Sequence, residues 1–388
     1  MKKTSYKLLL LFIILFPLWE GISIDYNIVG PSILGLLLIG IWILESFQNN
    51  IYIDTWATIL FTLLFTVFLF ASYFSPDIIF AIKKVISLLS VVLLFILIVD
   101  LLTRGNSPNY MLIAYVFGMF LFSLSMIYNI INSIGYLGLY NRFSAIGTGP
   151  NNFAIMLATT IPILLYLTEN LEKKYKIFSI STLILFSILI ISTASRSGVI
   201  ALILVLVLYL VPYIKLNFKS LVFIVLFILF SGVIINSSLI EIIPTEALER
   251  LISASNSNTD TESGGRLYLW KIGLESIFDN SFFGIGIGSF LDINSLQIHN
   301  TFLYFYLSAG IFAFIAWVVI WIIQLKYIIY LIRNKHLLGY TLFLTYIPLL
   351  LGANTLNWEM RKPIFIIFGV ITASKLLMEY KKIKIKEN

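Results

Sequence analysis

The chain has 388 residues, 60% of them hydrophobic and only 12% charged, with a formal net charge of +7. Soluble domains carry about 25% charged residues, so this composition, with a mean hydropathy of +0.98, excludes an ordinary soluble protein and indicates an integral membrane protein with many spans. The lack of cysteine excludes disulfides, zinc–cysteine sites and iron–sulfur clusters, and His299 and His336 alone cannot build a histidine-rich metal site.

The N-terminal stretch "MKKTSYKLLLLFIILFPLWEGI" has no small-residue cleavage site and is followed by further apolar runs, so it is expected to be a retained first helix. A spanning helix needs about 20 predominantly apolar residues. Twelve segments are expected to qualify: 6–24, 28–46, 54–74, 82–102, 110–132, 152–168, 177–194, 197–214, 220–238, 300–324, 337–353 and 362–379. The expected fold is all-α and polytopic, one integral membrane domain over 1–388, with one long external loop at 239–299. Between Lys176 and Lys215 only Arg196 is charged. That run is long enough for two spans, so Arg196 is expected at the tip of a tight hairpin, at the membrane surface.

Lysines gather on one side of this alternation. Fifteen of nineteen lie on the side that holds both termini, which makes the termini cytoplasmic. Lysine clusters placed between apolar runs orient a membrane protein; they do not form the continuous basic face that nucleic acid requires. Arginines distribute the other way: Arg142, Arg196, Arg250, Arg266 and Arg361 all fall on the outer side. Arginine presents a rigid fork of donors that matches phosphate bidentately. The pattern therefore points to an anionic, phosphate-bearing ligand at the outer membrane face.

Within the long loop, "SASNSNTDTESGG" is polar, whereas "GGRLYLWKIGLESIFDN" repeats Arg266, Trp270, Leu274 and Ile277 at helical spacing. It reads as an amphipathic helix on the outer surface with Trp270 at the interface. "FFGIGIGSF" is GxGxG rather than GxGxxG and lacks a surrounding strand–helix unit, so it reads as a turn that lets backbone approach closely. His299 opens the next span, and a neutral imidazole there could accept a proton near pH 7. Glu359, two residues from Arg361, could orient that arginine or act as a base, and Lys84 could reach lipid headgroups or add positive charge to the site.

"SRSG" after one helix, "GRLYLW" and "FFGIGIGSF" in a long loop, and "HN" opening the following helix together resemble the O-antigen ligase/polymerase family, most strongly over 140–365. The resemblance implies a GT-C-like, all-helical glycosyltransferase needing no metal or other cofactor. Its donor would be an oligosaccharide on undecaprenyl pyrophosphate, moved at the outer face of the cytoplasmic (inner) membrane, with inversion at the anomeric carbon. By the resemblance, Arg196 and Arg266 hold the pyrophosphate with Arg142 and Arg361, and His299 is the base or a substrate-positioning group. Asn300, Glu359, Trp270 and Lys84 are possible supports. Many members carry Glu shortly before the glycine of the helix after "HN", whereas "YLSAG" offers Ser308 and Ala309 here. That leaves Glu359 as the alternative carboxylate.

Within the family two activities differ by acceptor: a polysaccharide polymerase extends another lipid-linked glycan, as in O-antigen or capsule, and a ligase transfers to lipid A core. Membrane lipids, a flippase and a chain-length regulator are the expected associates, and nucleic acid is not. A transporter or flippase for a lipid-linked anion is the competing class. It would place charges deep within spans and break helices at mid-membrane.

Overall fold

The computed structural model describes residues 4–26, 30–47, 51–136, 142–170, 173–211, 266–279 and 282–387. Among them regular structure is helical throughout. The helices are α1 (Thr4–Tyr26), α2 (Gly30–Ser46), α3 (Thr55–Ser72), α4 (Ile78–Thr103), α5 (Pro108–Ile131), α6 (Pro150–Asn170), α7 (Lys173–Ser192) and α8 (Arg196–Leu210). After them come α9 (Arg266–Asp279), α10 (Ser289–Asn294), α11 (Thr301–Arg333), α12 (Gly339–Thr355) and α13 (Lys362–Glu387). Seven are long and apolar enough to cross a membrane, and three shorter apolar helices begin at Thr4, Ile33 and Arg196. The protein is an all-α, multi-pass membrane protein. The expected span 220–238, Arg250 and the loop as far as residue 265 lie outside the described residues.

Two compact units divide the chain. The first comprises Met1–Phe16, Val29–Tyr115 and Asn258–Asn388. Here α4 packs against α3 and α13, and α11 packs against α3, α12 and α13. A column of rings joins four of these helices: Phe61 lies 4.9 Å from Phe95 and 5.8 Å from Phe365, and Phe305 lies 4.9 Å from Trp317. Lipid tails are as apolar as these side chains, so close packing rather than escape from water holds the column.

Opposite ends of this unit carry separate polar networks. At one end, buried Asp100 accepts hydrogen bonds from Trp42 Nε1 (2.7 Å) and Tyr52 N (2.9 Å) and pairs with Arg104 at 2.7 Å. Glu45 accepts from the Ser5 hydroxyl, and Asp54 caps α3 while accepting from the Tyr327 hydroxyl. At the other end the 75–77 turn, the 284–301 segment and the 356–361 segment meet.

Sequence and structure differ in α11. The expected span 300–324 is a 33-residue helix interrupted at Gly310, where φ is 77° and ψ −169°. A helix of that length would extend about 50 Å against a hydrocarbon core of about 30 Å. The stretch after the break, 311–333, suffices by itself to span. The break is filled by the chain's own backbone: a Cβ on Gly310 would lie 2.0 Å from Phe282 O, and one on Gly284 would lie 2.5 Å from Leu307 O. Ile285 N donates to Leu307 O at 2.7 Å, and Ile287 N donates to Ser75 Oγ at 2.8 Å. The "GIGIG" turn thus threads between α11 and the α3–α4 turn, close backbone approach being what its glycines permit.

The second unit comprises Pro17–Ile28 and Val116–Ser257. Its central element is α6, which packs against α7 and α8 and is buried along most of its length. Thr159 and Thr160 are tolerated there because their hydroxyls donate to Met156 O and Leu157 O, both at 2.6 Å. α7 and α8 form the expected hairpin, with Arg196 as the first residue of α8.

Candidate active site

In the first unit the site is assembled around the segment that leads into α11. Asn300, buried, caps that helix: its Oδ1 accepts from Phe302 N (3.0 Å) and Leu303 N (3.1 Å). The cap fixes the backbone just before it, where His299 has φ 51°, a left-handed conformation uncommon outside glycine. Such strain persists only where surroundings impose it, and it tends to accompany function. Two further contacts pin the segment to the α12–α13 connection. Thr301 Oγ1 donates to Leu356 O (3.0 Å) and accepts from Trp358 N (2.8 Å), and Asn357 Nδ2 donates to Gln297 Oε1 (2.8 Å). Arg361 closes this connection, its N–H donating to Trp358 O at 3.2 Å, just before α13.

Helix α9 lies against the same segment. Leu269 and Ile277, with Gly273 between them, face Ile298, Leu307 and Phe290 in one apolar cluster. Leu274 and Phe278 are exposed, Phe278 at 84%, together with Tyr268, Lys271 and Glu275. The packed stripe is therefore rotated from the Arg266–Trp270–Leu274–Ile277 face that spacing suggested. The indole N–H of Trp270 donates to Ile298 O at 3.0 Å and so braces the residue before His299.

Arg266, the first residue of α9, acts electrostatically on His299. Burial, and after it the positive charge of Arg266, hold the His299 pKa below its ordinary 6.5. The imidazole is therefore neutral at pH 7, with a lone pair available. Among the described residues it has no hydrogen-bond partner. Lys84 and Glu359 form an ion pair at 3.1 Å, so Glu359 partners Lys84. Thr301 and Tyr304 are members of this cluster that the sequence reading did not select. Among the described residues no three His, Cys, Asp or Glu side chains cluster as metal ligands do.

The second unit carries Arg142 and Arg196. Arg142 Nε donates to Thr193 O (3.3 Å) and its terminal nitrogen to Asn151 Oδ1 (3.1 Å), which ties the α7–α8 turn to the start of α6. Arg142 thus has a structural duty. Arg196 follows Ser195, whose side chain accepts from Gly198 N at 3.3 Å and caps α8. It stands half-buried at a helix N-terminus, where free N–H groups and the helix dipole favour anions.

The family model described as O-antigen ligase matches residues 181–318. This stretch is similar to that family over about a third of the chain. The matched stretch runs from α7 into α11 and holds Arg196, Arg266, Trp270, His299 and Asn300; Arg142, Lys84, Glu359 and Arg361 lie outside it. The likeness supports a ligase/polymerase-type function in general; members of that family are glycosyltransferase-like and act on a lipid-linked glycan donor and an acceptor. No curated protein matches the chain.

Proposed function

We propose that this protein transfers a glycan from undecaprenyl pyrophosphate to an acceptor hydroxyl at the outer face of the cytoplasmic membrane, as a polysaccharide polymerase of the Wzy type. The observation that carries this reading is the juxtaposition of Arg266 with a strained, neutral His299 inside the stretch similar to the O-antigen ligase family. Charge grows on the pyrophosphate as its bond to the anomeric carbon breaks, and a preorganised guanidinium stabilises it without the reorganisation that water needs. His299 accepts a hydrogen bond from the attacking hydroxyl and orients it on the opposite face of the sugar, so the anomeric carbon inverts. In the second unit, Arg196 and Arg142 are proposed as pyrophosphate ligands, and in the first unit Arg361 likewise. Ligation onto lipid A core is the second reading, favoured by the name of the matched family.

Transport is disfavoured by two features of the first unit. The acids near span ends are committed to structural partners, Asp100 to Arg104 and Glu45 to Ser5. The broken helix is occupied by the protein's own 282–284 backbone, not opened as a binding cleft.

The test uses full-length protein in detergent with undecaprenyl-pyrophosphate-linked repeat units, with chelator present and products separated by gel. A ladder of lengthening glycans supports the polymerase. Transfer only onto added lipid A core makes it a ligase, and transfer to neither refutes the reading. Arg196→Ala, Arg266→Ala and His299→Ala should each lower the rate about 100-fold or more at unchanged membrane levels; full activity in all three would discard this site.

A further inference from the structure

The Lys84–Glu359 pair is asymmetric. The glutamate side chain is 5% exposed and the lysine side chain 30% exposed. Glu359 Oε1 holds Lys84 at 3.1 Å, whereas its Oε2 is buried without a hydrogen-bond partner among the described residues. Buried carboxylate oxygens are ordinarily bonded, and an orphaned one is costly. An orphaned carboxylate oxygen beside a partly exposed cation makes an arrangement that is incomplete in the protein alone. Lys84 is also loosely held: Nζ lies 5.7 Å from the Phe80 ring and 5.8 Å from the Tyr304 ring, near the outer limit for a cation over an aromatic face. An ammonium carries three donors on a flexible stem, and one contact to Glu359 leaves the others available.

The pair is also tied to the site. Trp358, next to Glu359, is bonded to Thr301, and Asn357 to Gln297, so the carboxylate is carried on the loop pinned to the two sides of His299–Asn300. We infer that Lys84 is a further phosphate-binding residue, held in reserve by Glu359 and surrendered to an anionic phosphate of the lipid-linked donor when that donor arrives. The inference rests on the glycosyl-transfer reading above and adds a ligand to its donor site. Glu359 competes with the donor for one cation, so its effect on donor binding has a sign opposite to that of Lys84.

That sign is the test. Binding of farnesyl pyrophosphate, a short lipid pyrophosphate, is measured on the full-length protein in detergent for wild type, Glu359→Gln, Lys84→Gln and the double variant. Releasing a partly exposed pair should tighten binding by roughly two- to fivefold in Glu359→Gln. Lys84→Gln should weaken it, and the double variant should match Lys84→Gln, because the gain passes through Lys84. Glutamine is nearly isosteric with glutamate, so Glu359→Gln keeps the packing. Unchanged or weaker binding in Glu359→Gln overturns the exchange, since a purely structural pair can only lose by its removal. A parallel measurement with phosphatidylglycerol distinguishes the source of phosphate: tightening for that lipid alone overturns the donor assignment. If wild type itself binds no farnesyl pyrophosphate, the pyrophosphate reading fails and takes this inference with it, whereas binding that Glu359→Gln leaves untouched removes only the exchange.

Discussion

Three glycines in the first unit make a graded test of how the "GIGIG" turn meets α11. Gly310 combines φ 77° and ψ −169° with a site where an added Cβ would lie 2.0 Å from Phe282 O and 2.5 Å from Phe282 C. The backbone region alone costs an L-residue about 1–3 kcal/mol. Overpacking adds about 1–3 kcal/mol, and the neighbour here is backbone, which cannot rotate away. Gly310→Ala should therefore destabilise the protein by about 2–6 kcal/mol. Gly105 supplies the control for backbone strain: φ is 97° but nothing lies within 4 Å of its Cβ position, so Gly105→Ala should cost only about 1–2 kcal/mol. Gly40 is helical with open space around it, and Gly40→Ala should gain about 0.5–1 kcal/mol. The assay is unfolding by sodium dodecyl sulfate titration from mixed micelles, followed by circular dichroism. If Gly310→Ala costs no more than Gly105→Ala, backbone-to-backbone packing of the 282–288 turn on the break in α11 is wrong.

Further perturbations test other links. In the second unit a Cβ on Gly198 would lie 2.4 Å from Ala154 Cβ; Gly198→Ala should cost about 1–3 kcal/mol, and Ala154→Gly in the same chain should recover part of it. Asp100→Asn leaves Arg104 without its counter-ion in a largely buried pair and should cost about 3–5 kcal/mol in the same unfolding assay. For His299 the disfavoured form is the charged one, so removing a neighbouring positive charge must raise its pKa. In Arg266→Gln the His299 ring resonance should titrate at higher pH than in wild type while staying below 6.5, because burial, the larger cause, remains. Nuclear magnetic resonance titration with His336→Gln for assignment measures this, and an unchanged midpoint would remove Arg266 from the neighbourhood of His299.

Much of the fold was legible because a membrane restricts the chain to a few signals. Apolar runs of span length gave α1 to α8 and α11 to α13 their approximate places, and one arginine in an otherwise apolar run located the α7–α8 turn. The structure adds the caps: Asp54, Asp77, Ser195 and Asn300 stand directly before helices and bond their first free N–H groups. The break in α11 was hidden. Hydropathy continues across Gly310, and nothing local separates a glycine within a straight helix from one at a break. The deciding contact is with Phe282, in a different part of the chain.

The site divides along the same line. His299 and Arg266 could be singled out from their immediate setting, a helix start and the start of an amphipathic segment, and Asn300 from its place beside His299. Lys84 and Glu359 are 275 residues apart, and either alone resembles an ordinary interfacial charge. Only the fold shows that one neutralises the other and that the second carboxylate oxygen is left over. Arginines and lysines thus ask for different arguments. An arginine on the side that lysines avoid departs from the pattern that orients the protein and is conspicuous in the sequence. A lysine one turn inside an apolar helix is unremarkable there, and its meaning depends on what it faces. Here the partner is a buried acid whose hold is incomplete. Such a pair is poorly suited to stabilising the fold and well suited to yielding its cation to a stronger anion, which is why the direction of the Glu359→Gln effect, more than its size, decides between structure and function.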